Sequence, residues 1–456
     1  KELYIFSKNK NDYLNNELKK NTRISLVHFY SINNFYFNIL GAIKTYLIFF
    51  NNFFQEFFLS IFFIFAKKNY YYNDKYLYSN FPNHWDLKER YYKLFDKNNK
   101  NTYLISLLRN NSNLLKDYKN FFLLKSLNLK KINILESYNS PLEIIFIYLK
   151  TFFSFNRKKT KNILKDLKLD FFLNEVERNY KLIEKSKNHT FNNSLKNFYK
   201  KNKFKKIIFP FFEFIDGRLI SKFCNKLNIE TNGFQHAYLT GNTYSRFFDA
   251  TQIIYEANSN HYLPYKIFTE SNYARKRFSS LKKLSVQCYG SFRLRNIKKF
   301  NKKQNAKNIL FVMDLHNKVF LENIIKDYKT NSTKSLYIRP HPTYYDEFKN
   351  KIFKNSSIKI DLNKNLFESI NKNKIKFVVI SSSTSAFIDL IKTNLNIIIF
   401  KIPNYIRDDY IIDRYFFSIN KLNSLRNLKV NNKMNIKKIK NIFLPPKIKK
   451  NFLINL

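Results

Sequence analysis

The sequence predicts an α/β protein of two domains, each a parallel sheet covered by helices, with a helical extension at the N-terminal end. Three observations predict it. Short apolar runs such as Lys206–Phe212 (KIIFPFF), Ile309–Met313 (ILFVM) and Lys376–Ser381 (KFVVIS) have the make-up of strands buried on both faces. Segments with helical spacing follow them, which is the β-α alternation of a parallel sheet. The alternation stops and restarts across one polar, basic stretch, Arg295–Asn308 (RNIKKFNKKQNAKN), which reads as a domain boundary.

Taken in order, residues 1–100 read as helical and aromatic-rich. From 101 to 295 come strands at Thr102–Leu108, Ile132–Ser137, Lys206–Phe212, Ile229–Gln235, Tyr265–Glu270 and Ser285–Gly290, with helices near 112–121, 141–155, 158–202 and 216–227. From 308 to 401 come strands at Ile309–Met313, Ser335–Arg339, Ser357–Asp361, Lys376–Ser381 and Asn396–Phe400, with helices near 318–328, 344–352, 364–372 and 384–392. Five such units make a Rossmann-like domain, and two tandem Rossmann-like domains suggest a cleft between them. Residues 402–456 read as a helical or irregular tail.

The 456 residues hold 82 Lys and Arg against 33 Asp and Glu, a formal charge of +49. The lysines are spread along the whole chain, so most read as solvated surface. The rest favour anionic headgroups, a sugar nucleotide or an acidic polymer. Cys224 and Cys288 sit in apolar surroundings and read as core residues, with no disulfide framework. No signal peptide is visible, and the expected location is the cytoplasm. In Thr45–Lys68, Asn51, Asn52, Gln55, Glu56 and Ser60 fall on one side of a helix and leave a wide apolar face. One reading is a packing helix; the other is a helix lying on the inner membrane surface, with Lys67 and Lys68 at the headgroups.

Four motifs carry candidate chemistry. In Val378–Ile391 a buried strand runs into Ser381, Ser382, Ser383, Thr384 and Ser385, then into a helix. One hydroxyl suffices for an N-cap. Five, beside free N–H groups and a positive helix end, read as a phosphate-binding loop. In Arg339-Pro340-His341-Pro342 the prolines stop a strand of the same sheet. His341 is suited to donate to a phosphate oxygen or to protonate a departing phosphate, and Arg339 offers a planar fork of donors. In Phe211–Ile220, Glu213 and Asp216 follow a strand and open a helix. Asp216 has the alternative of capping that helix, so Glu213 is the preferred general base. In Thr231–Asn242, Gly233 permits tight backbone, and Gln235 and His236 end a strand. His236 is a second candidate base or ligand group, and Asn242, Thr243 and Ser245 extend a polar loop of the kind that binds sugars. No Walker loop, GxGxxG, HExxH or paired-cysteine signature occurs, and no metal site is expected. A metal-free reaction needs protein groups at its leaving phosphate, a task for His341 and the serine loop.

Together and in this order, these residues resemble bacterial surface and capsule polysaccharide glycosyltransferases of the GT-B type, most of all the sialyltransferase and polysialyltransferase group. Glu213 with Asp216-Gly217 resembles the acidic motif of the first domain; His341-Pro342 and Ser382-Ser383-Thr384 resemble the His-Pro and Ser/Thr-rich motifs of the second. Gly233–Ala237 (GFQHA) is similar to a Gly-x-Gln-His-Gly segment of related surface-carbohydrate proteins, with Ala237 in place of the last glycine, and Pro264–Leu294 to the stretch that follows it. The resemblance covers residues 200–400. It implies metal-independent, inverting transfer of a sugar, such as sialic acid or a related one, from a nucleotide-activated donor, CMP-linked in that group, with no other cofactor. The acceptor would be a surface polysaccharide or a lipid-linked glycan, and contact with the inner membrane surface is compatible with it. Residues 308–401 would then hold the donor through Arg339, His341, Pro342 and Ser381–Ser385. Residues 101–295 would face the acceptor through Gln235, Asn242 and Thr243, and Glu213, Asp216 or His236 would be the base. Competing readings on the same architecture are a polyol-phosphate transferase or a nucleotide-sugar epimerase. A non-catalytic basic glycan- or nucleic-acid-binding protein is the third, although no nucleic-acid module is recognised.

Overall fold

The computed structural model describes residues 2–5, 26–29, 34–65, 72–79, 102–106, 131–154, 180–210, 212, 215–235, 262–279, 285–289, 306–313, 321, 328, 334–341, 344–350, 353, 357–363, 366–381, 386–391, 395–401 and 416–420, and all that follows concerns these. They form two units. The first gathers the described residues up to Gln235 with Tyr262–Ile267, and the second those from Phe268 onward.

A small parallel pair, β1 (Glu2–Ile5) and β2 (Leu26–Phe29), opens the chain. The first large sheet is built from β3 (Lys75–Ser79), β4 (Thr102–Ile105), β5 (Ile132–Ile134), β6 (Lys206–Pro210), β7 (Glu230–Phe234), β8 (Lys266–Thr269) and β9 (Ser285–Cys288). Its spatial order is β5-β4-β3-β6-β7-β8-β9, and the pairings from β5 to β7 are parallel. Backbone pairing thus counts β9 with this sheet, although residues from Phe268 onward group with the second unit. The second sheet holds β10 (Asn308–Val312), β11 (Leu336–Arg339), β12 (Ile358–Ile360), β13 (Ile375–Ser381), β14 (Asn396–Phe400) and β15 (Ser418–Ile419) in the order β12-β11-β10-β13-β14-β15, all parallel. Counted from its first strand, each sheet begins 3-2-1-4-5-6, the doubly wound Rossmann order. The expected fold class, two Rossmann-like α/β units with an N-terminal helix, is the one observed.

Alternation of side chains explains the second sheet. Val378 and Ile380 of β13 join Leu310, Val312, Ile397 and Ile399 in one apolar layer. Phe377 and Val379 join Ile309, Phe311, Ile398 and Phe400 in the layer on the other face. Successive residues of a strand point to opposite faces, so a strand covered on both sides must be apolar throughout. Helices Leu366–Lys372 and Ala386–Ile391 supply the buried Ile370, Phe387 and Leu390 to the first of these layers.

In the first unit, helix Pro141–Phe153 starts with a reciprocal cap: the Glu143 N–H donates to Ser140 Oγ and the Ser140 N–H donates to the Glu143 carboxylate. Burial alone would raise the Glu143 carboxyl. The hydrogen bonds from the Ser140 N–H and from Asn197 outweigh it and hold the group below its ordinary range. Cys224 is buried, and burial pushes its thiol up; Cys288 is only half-buried.

Several elements differ from the sequence reading. Residues 1–100 hold strands as well as the long helix Asn34–Phe65, and β3 lies inside the first sheet. Two tyrosines obscure it. Tyr76 and Tyr78 are buried because their phenols find distant partners, Asn202 for Tyr76 and Asp216 for Tyr78. Desolvation accordingly raises the Tyr76 phenol to about 12. The run at Ile132–Ser137 is strand only to Ile134, because a 3-10 turn, Leu135–Tyr138, takes over. The stretch 402–456, read as helical or irregular, contains β15, a two-residue strand made by edge pairing with β14. The expected helices near 112–121 and 318–328 fall wholly or largely outside the described residues.

Two outcomes are expected from this packing. A Cβ at Gly233 would lie 2.7 Å from Pro264 Cγ and 2.8 Å from Phe212 Cβ. Gly233→Ala should therefore lower stability by about 1–3 kcal/mol, read from the urea midpoint. Glu143→Gln should lower that midpoint at neutral pH. A depressed folded pKa stabilises above the unfolded value and ceases to as pH falls through the folded one, so the two proteins should converge in acid; a gap that persists there would refute the assignment.

Candidate functional site

In each sheet one pair of neighbouring strands feeds chain connections that leave in opposite directions. In the second unit this switch point is β10 and β13. Ligands of doubly wound sheets bind beyond the carboxyl ends of the strands at that point. β13 ends at Ser381, a buried residue in register with Phe400 of β14. Ser382, Ser383, Thr384 and Ser385 lie outside the described residues, and the chain is described again as a helix at Ala386. The serine-rich motif thus follows the carboxyl end of β13, beside β10.

β11 flanks β10 on the other side and ends at Arg339. The strand direction therefore brings the Arg-Pro-His motif to the same edge of the same sheet. Two strand spacings, about 10 Å, separate the ends of β11 and β13, a gap one phosphorylated ligand can span. His341 is half-buried, its carbonyl accepts from the Tyr344 N–H at 2.8 Å, and its ring stands edge-on to Tyr344. Pro342 lies outside the described residues.

Arg339, expected among the donor-binding residues, is engaged within the sheet through one end of its guanidinium. Its Nη1 donates to Asp361 Oδ2 at 3.0 Å, to the Asn363 carbonyl at 2.6 Å and to Ser369 Oγ at 2.8 Å. Both charges are nearly or wholly withdrawn from solvent. Asn363 donates in turn to the other Asp361 oxygen, and the Asp361 N–H donates to Ile338 O. The ion pair ties the ends of β11 and β12 to helix Leu366–Lys372. It is the arrangement of a structural arginine, which fixes the strand end from which His341 departs. Tyr345 is drawn into the same region: burial raises its phenol, Arg339 opposes this and Asp361 adds to it.

The first unit has its own switch point, β3 and β6. Asp216 lies in the first turn of helix Ile215–Lys226, which follows β6, and its Oδ2 accepts from the Tyr78 hydroxyl of β3 at 2.9 Å. This hydrogen bond joins β3 to the helix that follows β6, and both side chains are buried. Tyr78 also stands edge-on to Phe191 of helix Lys185–Asn202. Phe191 lines a small cavity of mixed character with Glu56, Ser106, Glu136, Ile144 and Lys187. Ser106, just past β4, donates to Glu136, just past β5, at 2.6 Å. A polar cluster therefore sits at the carboxyl ends of the strands next to Asp216. Gln235 is fully buried at the end of β7, while Glu213, His236, Asn242 and Thr243 lie outside the described residues. Sequence reasoning missed Tyr78, Ser106 and Glu136. Ser106 falls inside the strand read as Thr102–Leu108, and its pairing with Glu136, 30 residues away, has no local signal. Among the described residues no cluster of His, Cys, Asp and Glu has the make-up of a metal centre.

No protein-family profile matches the chain, and no curated protein matches it. Among solved structures, the calicheamicin glycosyltransferase CalG4 is similar over 81% of this chain and 94% of its own, at 9% identity and a TM-score of 0.44. The wall teichoic acid polymerase TagF is similar over 89% of this chain and 92% of its own, at 10% identity and a TM-score of 0.42. The UDP-GlcNAc 2-epimerase of Methanocaldococcus jannaschii is similar over 82% of this chain and 93% of its own, at 13% identity and a TM-score of 0.40. These likenesses are too low to decide chemistry. The strand order of this chain makes it a protein of two Rossmann-like units, each with polar residues gathered at its switch point.

The buried pair gives a sharp expectation. Arg339→Met should cost about 3–5 kcal/mol, because it leaves Asp361 buried and unpaired. Arg339→Met with Asp361→Leu should recover most of that loss in urea unfolding. Equal losses in the single and double variants would show that the pair is not what Arg339 contributes.

Proposed function

We propose that this protein is a cytoplasmic, metal-independent glycosyltransferase, moving a sugar from a nucleotide-activated donor to a surface polysaccharide or lipid-linked glycan. One observation carries the reading. The His341 motif and the serine-rich motif leave the same edge of one 3-2-1-4-5-6 sheet, on strands that flank its first strand. What supports the reading is that both motifs follow strand ends at the edge where such sheets take a phosphorylated ligand.

In this reading the donor's phosphate lies over the ends of β10 and β13. The hydroxyls of Ser382, Ser383 and Thr384 and the N–H groups of their loop donate to its oxygens. His341 donates to the oxygen on which charge develops as the sugar leaves, and electrostatic help of this kind is worth most in a dry site. The acceptor hydroxyl loses its proton to a carboxylate. Asp216 is held by Tyr78 and is a structural partner of β3. Glu213, three residues earlier in the chain, is assigned as the base. Inversion follows from direct attack by the activated hydroxyl. A CMP-linked sialic acid or a related donor is the specific case favoured by the resemblance of Glu213, His341-Pro342 and Ser382–Thr384 to the sialyltransferase group.

Purified protein incubated with CMP-, CDP- and UDP-linked sugars and a glycan acceptor should transfer one of them. Glu213→Gln should lower turnover by about a hundredfold or more while donor affinity by calorimetry is kept. His341→Ala should weaken donor binding by about 1.5–3 kcal/mol, the range for a hydrogen bond to a charged group. Near-normal turnover in the first variant, or unchanged affinity in the second, would remove that residue from its role. Donor consumed without acceptor, and not merely hydrolysed, would point to epimerisation instead.

A further inference from the structure

The long helix of the first unit buries most of its polar residues, together with Phe49, Leu59 and Phe63, and leaves other apolar residues outside. Thr45, Asn52, Gln55, Glu56 and Ser60 are each 7% exposed or less. Ile43, Leu47, Phe50, Phe54, Phe58 and Ile64 are 45–65% exposed. The neighbouring helix Pro141–Phe153 buries Ile144, Tyr148 and Thr151 and also leaves apolar residues outside, with Leu142, Phe146 and Phe153 at 78%, 66% and 77%. On the inward side Glu56 lines a small cavity of the unit, and the Ser60 hydroxyl is satisfied within the helix, donating to the Phe57 carbonyl at 2.7 Å. Exposed rings of the two helices meet where Phe50 stands 6.4 Å from Phe152, and the buried Phe49 and Tyr148 link the others. Phe58, Phe54, Phe53, Tyr148, Phe49, Phe50, Phe152 and Phe153 form a continuous chain of ring contacts across both helices, with centroids 5.1–6.4 Å apart.

An exposed aromatic patch of this extent marks an interaction surface. Its charges decide the partner. Lys44 stands exposed among the apolar residues of the first helix, and Lys150 on the last turn of the second. Lys185 reaches Ser154, just past that turn, at 3.4 Å. Burial lowers the His189 imidazole, and Lys185 and Lys150 lower it further, which places these cations together. The acids of the two helices offer no opposing surface: Glu56 is buried and Glu143 is tied into the Ser140 cap. Aromatic rings with cations beside them suit an anionic bilayer surface.

The segment Ile43–Ile64, at 22 residues and a mean hydropathy of 1.6, is long and apolar enough to cross a bilayer. Crossing would carry Asn52, Gln55 and Glu56 into hydrocarbon at a cost of several kcal/mol. It would also strip Phe49 from its contact with Ile144, Tyr148, Leu182 and Ile183. A helix packed this way lies along the surface. We propose that the outward face of helices Asn34–Phe65 and Pro141–Phe153 seats the protein on an anionic lipid bilayer, rings in the acyl boundary and Lys44, Lys150 and Lys185 at the headgroups. The proposal does not depend on the transfer chemistry and is tested apart from it.

The test is flotation of the full chain with vesicles of phosphatidylcholine alone or mixed equally with phosphatidylglycerol. The wild type should float with the mixed vesicles. Phe54→Ser with Phe58→Ser, Phe146→Ser and Phe153→Ser should lower the bound fraction at least tenfold, with circular dichroism and urea midpoint verifying the fold. Lys44→Glu with Lys150→Glu and Lys185→Glu should lose the preference for the anionic mixture and keep any binding to phosphatidylcholine. No flotation of the wild type, or full flotation of either folded variant, would overturn the proposal. So would sedimentation showing that this face pairs two copies of the chain while lipid is ignored. If the serine variant fails to fold, the charge-reversed one decides alone.

Discussion

Parallel pairing at the centre of each sheet is the constraint on which the rest of the molecule depends. β3 lies against β6 and β10 against β13, covered on both faces. A strand in that position can hold almost nothing polar along its length. Polar chemistry is displaced to the ends, and because all strands of a parallel sheet point the same way, it collects at one edge. Ser381 and His341 share such an edge in one unit, and Ser106, Glu136 and Asp216 cluster at one in the other. The site is in this sense a by-product of how the core excludes water.

The buried polar contacts make those edges rigid. Arg339 with Asp361 anchors the ends of β11 and β12, and Tyr78 with Asp216 joins β3 to the helix after β6. Neither pair adds much stability over well-packed apolar residues, because desolvation offsets attraction. Each does hold a strand end in one place, which is what a binding edge requires. The same economy operates in the long helix, where most polar residues are buried and several aromatic ones stay on the surface.

Much of the fold is legible in the residues. Runs such as ILFVM and KFVVIS can only be strands of a doubly covered sheet, and their spacing leaves room only for crossover helices. β3 was not legible in the same way. Its tyrosines need Asn202 and Asp216 to be buried, and those partners lie more than a hundred positions away. β15 is invisible locally for the same reason, since two residues become strand only where β14 offers an unpaired edge.

For the site, the sequence by itself determined which chemistry is present: a histidine between prolines, a row of hydroxyls before a helix, and two acids after a strand. It determined this because residue type and the nearest neighbours set proton affinity and turn geometry. Only the tertiary structure decided which of those groups are spoken for. Arg339 meets Asp361 and Asp216 meets Tyr78 through contacts that no local spacing encodes. Only the tertiary structure, too, decided that the long helix buries most of its polar residues, because that choice turns on what the rest of the unit offers to each face.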